Sequence, residues 1–231
     1  MPDVLDRTGQ VARRHAAWVR ARPLMAAVAY AAVLSVLGIL FVDKPLALYI
    51  KANIDPHTFG FFKTVTDLGL GGHWYALVIV AWLTCMVRSG LALTTVAYET
   101  WRLRARSALY VLATMVVSGV LVQILKFAIG RLRPRYLFEE GLYGFTPFTG
   151  ANSFPSGHSQ VIWAVMIALW FVYPRYRAAY VTVAMLVSFS RVATTVHFLS
   201  DWMMGSVLAI VVAVAVKDWF ERGGRPGVRL V

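Results

Sequence analysis

The feature that most limits what this chain can become is the recurrence of apolar runs close to twenty residues long. Six are legible: Leu24 to Val42, Leu68 to Val87, Ser107 to Leu125, Ser156 to Tyr173, Ala178 to Ala193 and Trp202 to Val216. A helix needs ~20 apolar residues to cross a ~30 Å hydrocarbon core, so each run is about long enough to span a bilayer. The first three carry no charge. The last three are shorter and begin or end at polar motifs, which predicts that those ends frame a water-filled cavity, where contact with lipid is not required. None shows the period-two alternation of a barrel strand. With 59% hydrophobic residues in a chain of 231, there is more apolar surface than one soluble core can bury. The expected fold is all-α: a polytopic membrane protein with six transmembrane helices, forming a single domain over residues 1–231.

The cations orient this arrangement. If the N-terminus is inside, the inner segments hold Arg7, Arg13, Arg14, Arg20 and Arg22, then Arg88, Arg102, Arg104 and Arg106, then Arg175 and Arg177, and finally Lys217, Arg222, Arg225 and Arg229, which is 15 of the 23 Lys and Arg residues. The outer side holds Lys44, Lys51, Lys63, Lys126, Arg131, Arg133, Arg135 and Arg191. This bias places both termini in the cytoplasm. Within the cytoplasmic segment 1–23, Val4, Val11 and Trp18 recur every seven residues, with Arg13, Arg14 and Arg20 on the other side, as in an amphipathic helix lying on the inner leaflet. The leading region is long and the first apolar run exceeds a signal-peptide core, so an uncleaved first helix is expected. The net charge of +12 fits anionic bilayer lipids as partners rather than nucleic acid, because the cations flank apolar segments and form no basic stripe with interleaved aromatics. Cys85 is the single cysteine, which excludes an intramolecular disulfide and a cysteine-based zinc site.

Three polar motifs interrupt the pattern: KFAIGRLRP at 126–134, PSGH at 155–158 and SRVATTVHFLSD at 190–201. Charge at membrane depth is costly, so these residues point to function, and with this orientation all three motifs fall on the outer face. Lys126 and Arg133 bracket the outer end of the third helix, with Pro134 marking where helix must stop. A compact ammonium and a planar guanidinium suit the oxygens of a phosphate. Arg131 and Arg135 fit interfacial anchors. Pro155 suits a first helical turn, after which the Ser156 and Gly157 N–H groups would lie open to an anion and His158 could give a proton to a departing oxygen. His197 and Asp201 stand four apart, so on one helix they share a face where carboxylate and imidazole can bond, leaving the other ring nitrogen as a nucleophile. Arg191 lies about 240° away on a straight helix, which predicts a break at Thr194, Thr195 and Val196.

Together the three motifs resemble the phosphatase signature of the type 2 phosphatidic acid phosphatase superfamily. Lys126, Arg133 and Pro134, then the PSGH string, then Ser190, Arg191, His197 and Asp201 fit its fixed positions, over residues 126–201, about a third of the chain. The resemblance implies that His197 attacks phosphorus to form a phosphohistidine, that Asp201 orients it, and that His158 protonates the leaving group. It further implies that Lys126, Arg133, Ser156, Gly157 and Arg191 hold the phosphate oxygens, with no cofactor and no metal. Asp67, Glu139 and Glu140 lack the spacing of a ligand set. His73 reads as a headgroup contact, and Trp74, Trp101, Trp170, Trp202 and Trp219 as interface residues.

The expectation is a bacterial inner-membrane enzyme with its active site on the periplasmic face. It would hydrolyse the terminal phosphate of a lipid phosphate or diphosphate such as phosphatidylglycerophosphate, phosphatidic acid, undecaprenyl diphosphate or lipid A 1-phosphate. A lipid phosphotransferase would use the same residues. A transporter of an anionic substrate is the reading from a different class, and phosphate release separates it from both enzymes.

Overall fold

The computed structural model describes residues 2–222, with side chains from residue 8. The Val4, Leu5 and Arg7 side chains, and Arg225 and Arg229, lie outside the described residues. Among those described the chain is helical, with one isolated bridge between Arg131 and Phe145. The helices are α1 (Pro2–Ala21), α2 (Pro23–Leu37), α3 (Asp43–Asn53), α4 (Pro56–Val65), α5 (Gly71–Gly90), α6 (Thr95–Ile129), α7 (Pro134–Glu140), α8 (Gly157–Val172), α9 (Arg177–Ala193) and α10 (Leu199–Arg222). A π-helical turn, Gly38–Val42, joins α2 to α3, so the first apolar run continues as helix to Asn53. Four helical stretches among the described residues are long and apolar enough to cross a membrane: Pro23–Asn53, Pro56–Gly90, Thr95–Ile129 and Leu199–Arg222.

Helices α8 and α9 are shorter, at 16 and 17 residues. For α8 the reason lies in where it sits. It packs against α5, α6, α9 and α10, and every residue from Ser159 to Ala168 is buried. A helix enclosed by protein does not need to match the hydrocarbon thickness by itself. Its one long polar side chain, Gln160, is satisfied by the Ser118 hydroxyl at 2.7 Å on α6. Tyr75 of α5 donates to the Met115 carbonyl at 3.1 Å, and Tyr110 of α6 to Ala213 at 3.0 Å on α10. Each removes an unpaired polar group from an apolar interior. Helix α10 meets the start of α8 at Gly205, where an added Cβ would stand 2.5 Å from the Ser156 carbonyl oxygen, so no larger residue fits without moving backbone.

Both ends of the long helix α6 are set by local caps. Thr94 caps α6 by accepting from the Ala97 N–H at 3.2 Å. At the far end Gly130 turns left-handed, φ 60°, which closes the helix four residues before Pro134. Pro134 is therefore not the stop the sequence suggested; it starts α7 as a first-turn proline. The Arg135 to Phe154 connection accordingly contains most of a short helix before it becomes irregular.

Candidate active site

The three motifs meet at one end of the bundle. The break expected after Arg191 is present: α9 stops at Ala193, Thr195 takes a left-handed φ of 52°, and α10 starts at Leu199. The reversal is tied to one carbonyl, because the N–H groups of Val196 and His197 both donate to Arg191 O at 3.1 Å. Arg191 and His197 thus become neighbours although a straight helix would have separated them. His197 lies in the turn before α10 rather than on the helix, which corrects the shared helix face expected from its spacing to Asp201. The pair still forms, with His197 Nδ1 3.3 Å from Asp201 Oδ2.

Asp201 has no exposed surface and His197 only 3%. Three further donors hold the carboxylate: Arg131 Nη1 at 2.6 Å on Oδ1, and Ser153 Oγ at 2.5 Å and the Phe198 N–H at 2.9 Å on Oδ2. A carboxylate so fixed accepts the imidazole proton at Nδ1 and leaves Nε2 with its lone pair free. Burial pushes the His197 pKa down to about 4. The Asp201 carboxylate opposes the shift, and the Lys126 and Arg191 charges add to it. The ring is neutral, and therefore nucleophilic, at any pH well above that value.

The cations surround this pair. Lys126, in the last turn of α6, donates to the Asn152 carbonyl at 2.8 Å, and its Nζ would stand 3.9 Å from a Cβ built on Gly157. Arg133 donates from Nε to the Asn152 side-chain oxygen at 2.9 Å. Burial lowers its pKa and the neighbouring Arg135 charge lowers it further. Arg191 is 7% exposed; its Nη1 donates to Thr66 Oγ1 at 2.7 Å, whereas its Nε is buried with no hydrogen-bond partner among the described residues. A buried guanidinium N–H left unpaired costs more than about 1 kcal/mol, a cost that an oxyanion beside it would remove.

At the start of α8 the sequence expectation holds in part. Ser156 is the N-cap, and its hydroxyl accepts from the Ser159 N–H at 3.4 Å. The Ser156 N–H is not open to an anion, because it donates to the Asp201 carbonyl at 2.9 Å, and the residue is fully buried. Pro155 precedes the helix instead of opening it. Gly157, the first residue of α8, lies beside the Lys126 side chain. His158 packs so tightly on Gly69 that an added Cβ there would meet its ring carbon at 2.9 Å.

Two clefts adjoin the site. One of about 600 Å³ lies between α5, α6 and α8, with Gly69, Gly157, His158 and Gln160 in its wall. Its α6 side, Val120 and Ile124, is on the exposed flank of the bundle. The other, about 480 Å³, is lined by Lys51, Arg133, Arg135 and the Thr194–Val196 turn.

The sequence motifs single out neither the burial of Arg131 nor Asp43, Ser153 and Ser200, which share its network. Arg131, read as an anchor, is 1% exposed and bridges Asp201 at 2.6 Å and Asp43 at 2.8 Å. Burial opposes its charge, but the Asp201 and Asp43 carboxylates outweigh that and raise its pKa. Asp43, likewise 1% exposed, was passed over as the residue after the first apolar run. Its position beside a charge-free helix was the only available signal. Arg135 does behave as an exposed anchor, stacked on Tyr136. His73, Asp67, Glu139 and Glu140 are exposed.

These features define an all-helical membrane protein with a buried histidine–aspartate pair among the cations Lys126, Arg131, Arg133 and Arg191. The chain belongs to the PAP2 superfamily, whose model matches residues 107–225. It is 37% identical over 115 residues to the lipid A 1-phosphatase of Rhizobium etli, covering 48% of this chain and 46% of that one. It is 33% identical over 102 residues to the lipid A 1-phosphatase of Porphyromonas gingivalis, covering 42% and 20%. The chain thus matches less than half the length of these curated relatives. Among solved structures, a transmembrane PAP2 type phosphatidylglycerolphosphate phosphatase from Bacillus subtilis superposes with a TM-score of 0.67 at 20% identity, covering 89% of this chain and 99% of that one. Aquifex aeolicus LpxE gives 0.58 at 20% identity, covering 77% and 95%. These structural likenesses concern the fold.

Proposed function

We propose that this protein is a membrane phosphatase that hydrolyses the terminal phosphate of a lipid phosphate through a phosphohistidine. The observation that carries this reading is the buried Arg191, its Nε unpaired, beside a neutral His197 whose Nδ1 is held by Asp201. His197 Nε2 attacks phosphorus in line. Lys126, Arg133, Arg191 and the first-turn N–H groups of α8 take up the charge that develops on the phosphoryl oxygens. His158, on the wall of the flank cleft, gives its proton to the leaving oxygen, and water then attacks the phosphohistidine. Ser156 acts as the cap that shapes this turn. The cleft between α5, α6 and α8 would take the apolar part of the substrate. Among lipid phosphates, a lipid A-type glycolipid phosphate is favoured by the names of the relatives.

Six spans are proposed: α2 with α3, α5, α6, α8, α9 and α10, in one membrane-embedded domain of the bacterial inner membrane, with α1 on the inner leaflet. The Lys and Arg distribution supports cytoplasmic termini and a periplasmic site. Reporter fusions should then read cytoplasmic at both ends and periplasmic within 141–153. A periplasmic C-terminus would overturn the placement.

The test of activity is phosphate release by the purified full chain from a panel of lipid phosphates in neutral detergent. Because three fixed cations occupy the role a divalent ion plays elsewhere, the rate should be unchanged by EDTA. Loss of rate that magnesium restores would show that the cations are not sufficient.

A further inference from the structure

The family match begins at residue 107, yet the carboxylate that orients His197 is tied to a residue contributed by the first span. We propose that Asp43 is a positioning residue for the His197–Asp201 pair, acting through Arg131 and Ser200; this rests on the phosphohistidine reading above.

The argument begins with what Arg131 would do alone. A guanidinium beside one carboxylate tends to bind it bidentately, through both oxygens. On Asp201 that would engage Oδ2, the oxygen His197 needs. In the structure the fork is split: Nη1 takes Asp201 Oδ1 at 2.6 Å, and Nη2 takes Asp43 Oδ2 at 2.8 Å. Asp43 therefore draws the second arm away, and Asp201 Oδ2 remains for the Ser153 hydroxyl, the Phe198 N–H and His197. Ser200 ties Asp43 to the Arg131 arm that holds Asp201. Its N–H donates to Asp43 Oδ1 at 3.1 Å, its hydroxyl bonds Asp43 Oδ2, and Arg131 Nη1 reaches that hydroxyl at 2.7 Å. The first span approaches closely enough for this, since a Cβ on Gly38 would stand 3.3 Å from Ser200 Cβ.

Charge gives a second reason. Arg131 with Asp201 alone is a neutral pair, whereas Arg131 with two carboxylates keeps one negative charge next to His197. That charge favours the positive ring that forms as Nε2 bonds to phosphorus. Other charges acting on His197 are Lys126 of α6 and Arg191 of α9, and His158 of α8 also faces it. Lys126 and Arg191 disfavour a positive ring and Asp201 opposes them; Asp43 adds to Asp201 by offsetting the Arg131 charge.

The experiment uses the purified full chain, short-chain phosphatidic acid in neutral detergent, and the variants Asp43→Asn, Asp201→Asn and their combination. Asp43→Asn should lower kcat about tenfold, the scale of one charge-assisted hydrogen bond, with KM changed less than about twofold. The acid limb of kcat/KM should move to lower pH, since losing a nearby negative charge lowers the proton affinity of His197. In the Asp201→Asn background, Asp43→Asn should cost nothing further, because its effect runs through Asp201. If Asp43→Asn does not fold, Ser200→Ala should give the same direction at smaller size. Unchanged kcat, an unmoved acid limb, or losses that multiply in the double variant would overturn the proposal. Absence of phosphate release from the wild type would instead overturn the reading on which it rests.

Discussion

His197→Ala should reduce phosphate release by on the order of 10⁴-fold or more, because it removes the atom that bonds to phosphorus. The loss should fall on kcat. A rapid alkaline quench of the wild type with labelled substrate should trap an acid-labile phosphoprotein, and the variant should give none. His158→Ala provides the contrast. Its loss should grow with the basicity of the leaving oxygen and nearly vanish for an aryl phosphate, since a general acid matters in proportion to that basicity. Equal losses across leaving groups would remove His158 from the acid role. A His197→Ala protein that still turns over at a tenth of the wild-type rate would favour direct attack by water.

Arg131→Met should destabilise the protein by about 3–5 kcal/mol, the cost of removing one partner from a buried ionic network. The substitution keeps most of the side-chain volume but leaves Asp43 and Asp201, both at 1% exposure or less, facing each other without a cation. Phe198, now 4.2 Å from the guanidinium, loses a cation–π contact as well. Thermal unfolding in detergent is the measurement. An anchor at the membrane surface would shift stability by less than about 0.5 kcal/mol, so a small effect would show that the bridge contributes little. Arg135→Met is the matched control, as Arg135 is exposed and stacked only on Tyr136.

The helical fold and the residues that cluster at the candidate site were legible because both rest on local patterns. The apolar runs fall on helices, with ends near the observed bounds of α5, α8 and α9, and four described stretches are long and apolar enough to cross a membrane. Lys126, Arg133, His158, Arg191, His197 and Asp201 were all recognisable as charge or imidazole next to apolar helix, and the tertiary structure brings them to one end of the bundle. The β-branched run after Arg191 marked the break between α9 and α10. These signals need only neighbours in sequence.

What the sequence could not decide was which group faces which. Arg131 and Arg135 are four residues apart, both arginine, in the same RLRPR stretch. One is sealed between two carboxylates and the other lies in solvent, a difference set by where α3 and α10 approach the Gly130 turn. Ser156 looked open to an anion, but its N–H is taken by a carbonyl 45 residues away on α10. Asp43 carries only the local signal of a charge beside an apolar run, which does not name its partners, 88 and 157 residues distant. Hydropathy and motif spacing by themselves determined a helical membrane protein with a cluster of cations and imidazoles at helix ends, because periodicity and charge placement are properties of the chain. The tertiary structure alone decided that His197 is held by a network reaching back to the first span. A buried carboxylate takes its partners from whatever packs against it, and packing joins residues that sequence separation keeps apart.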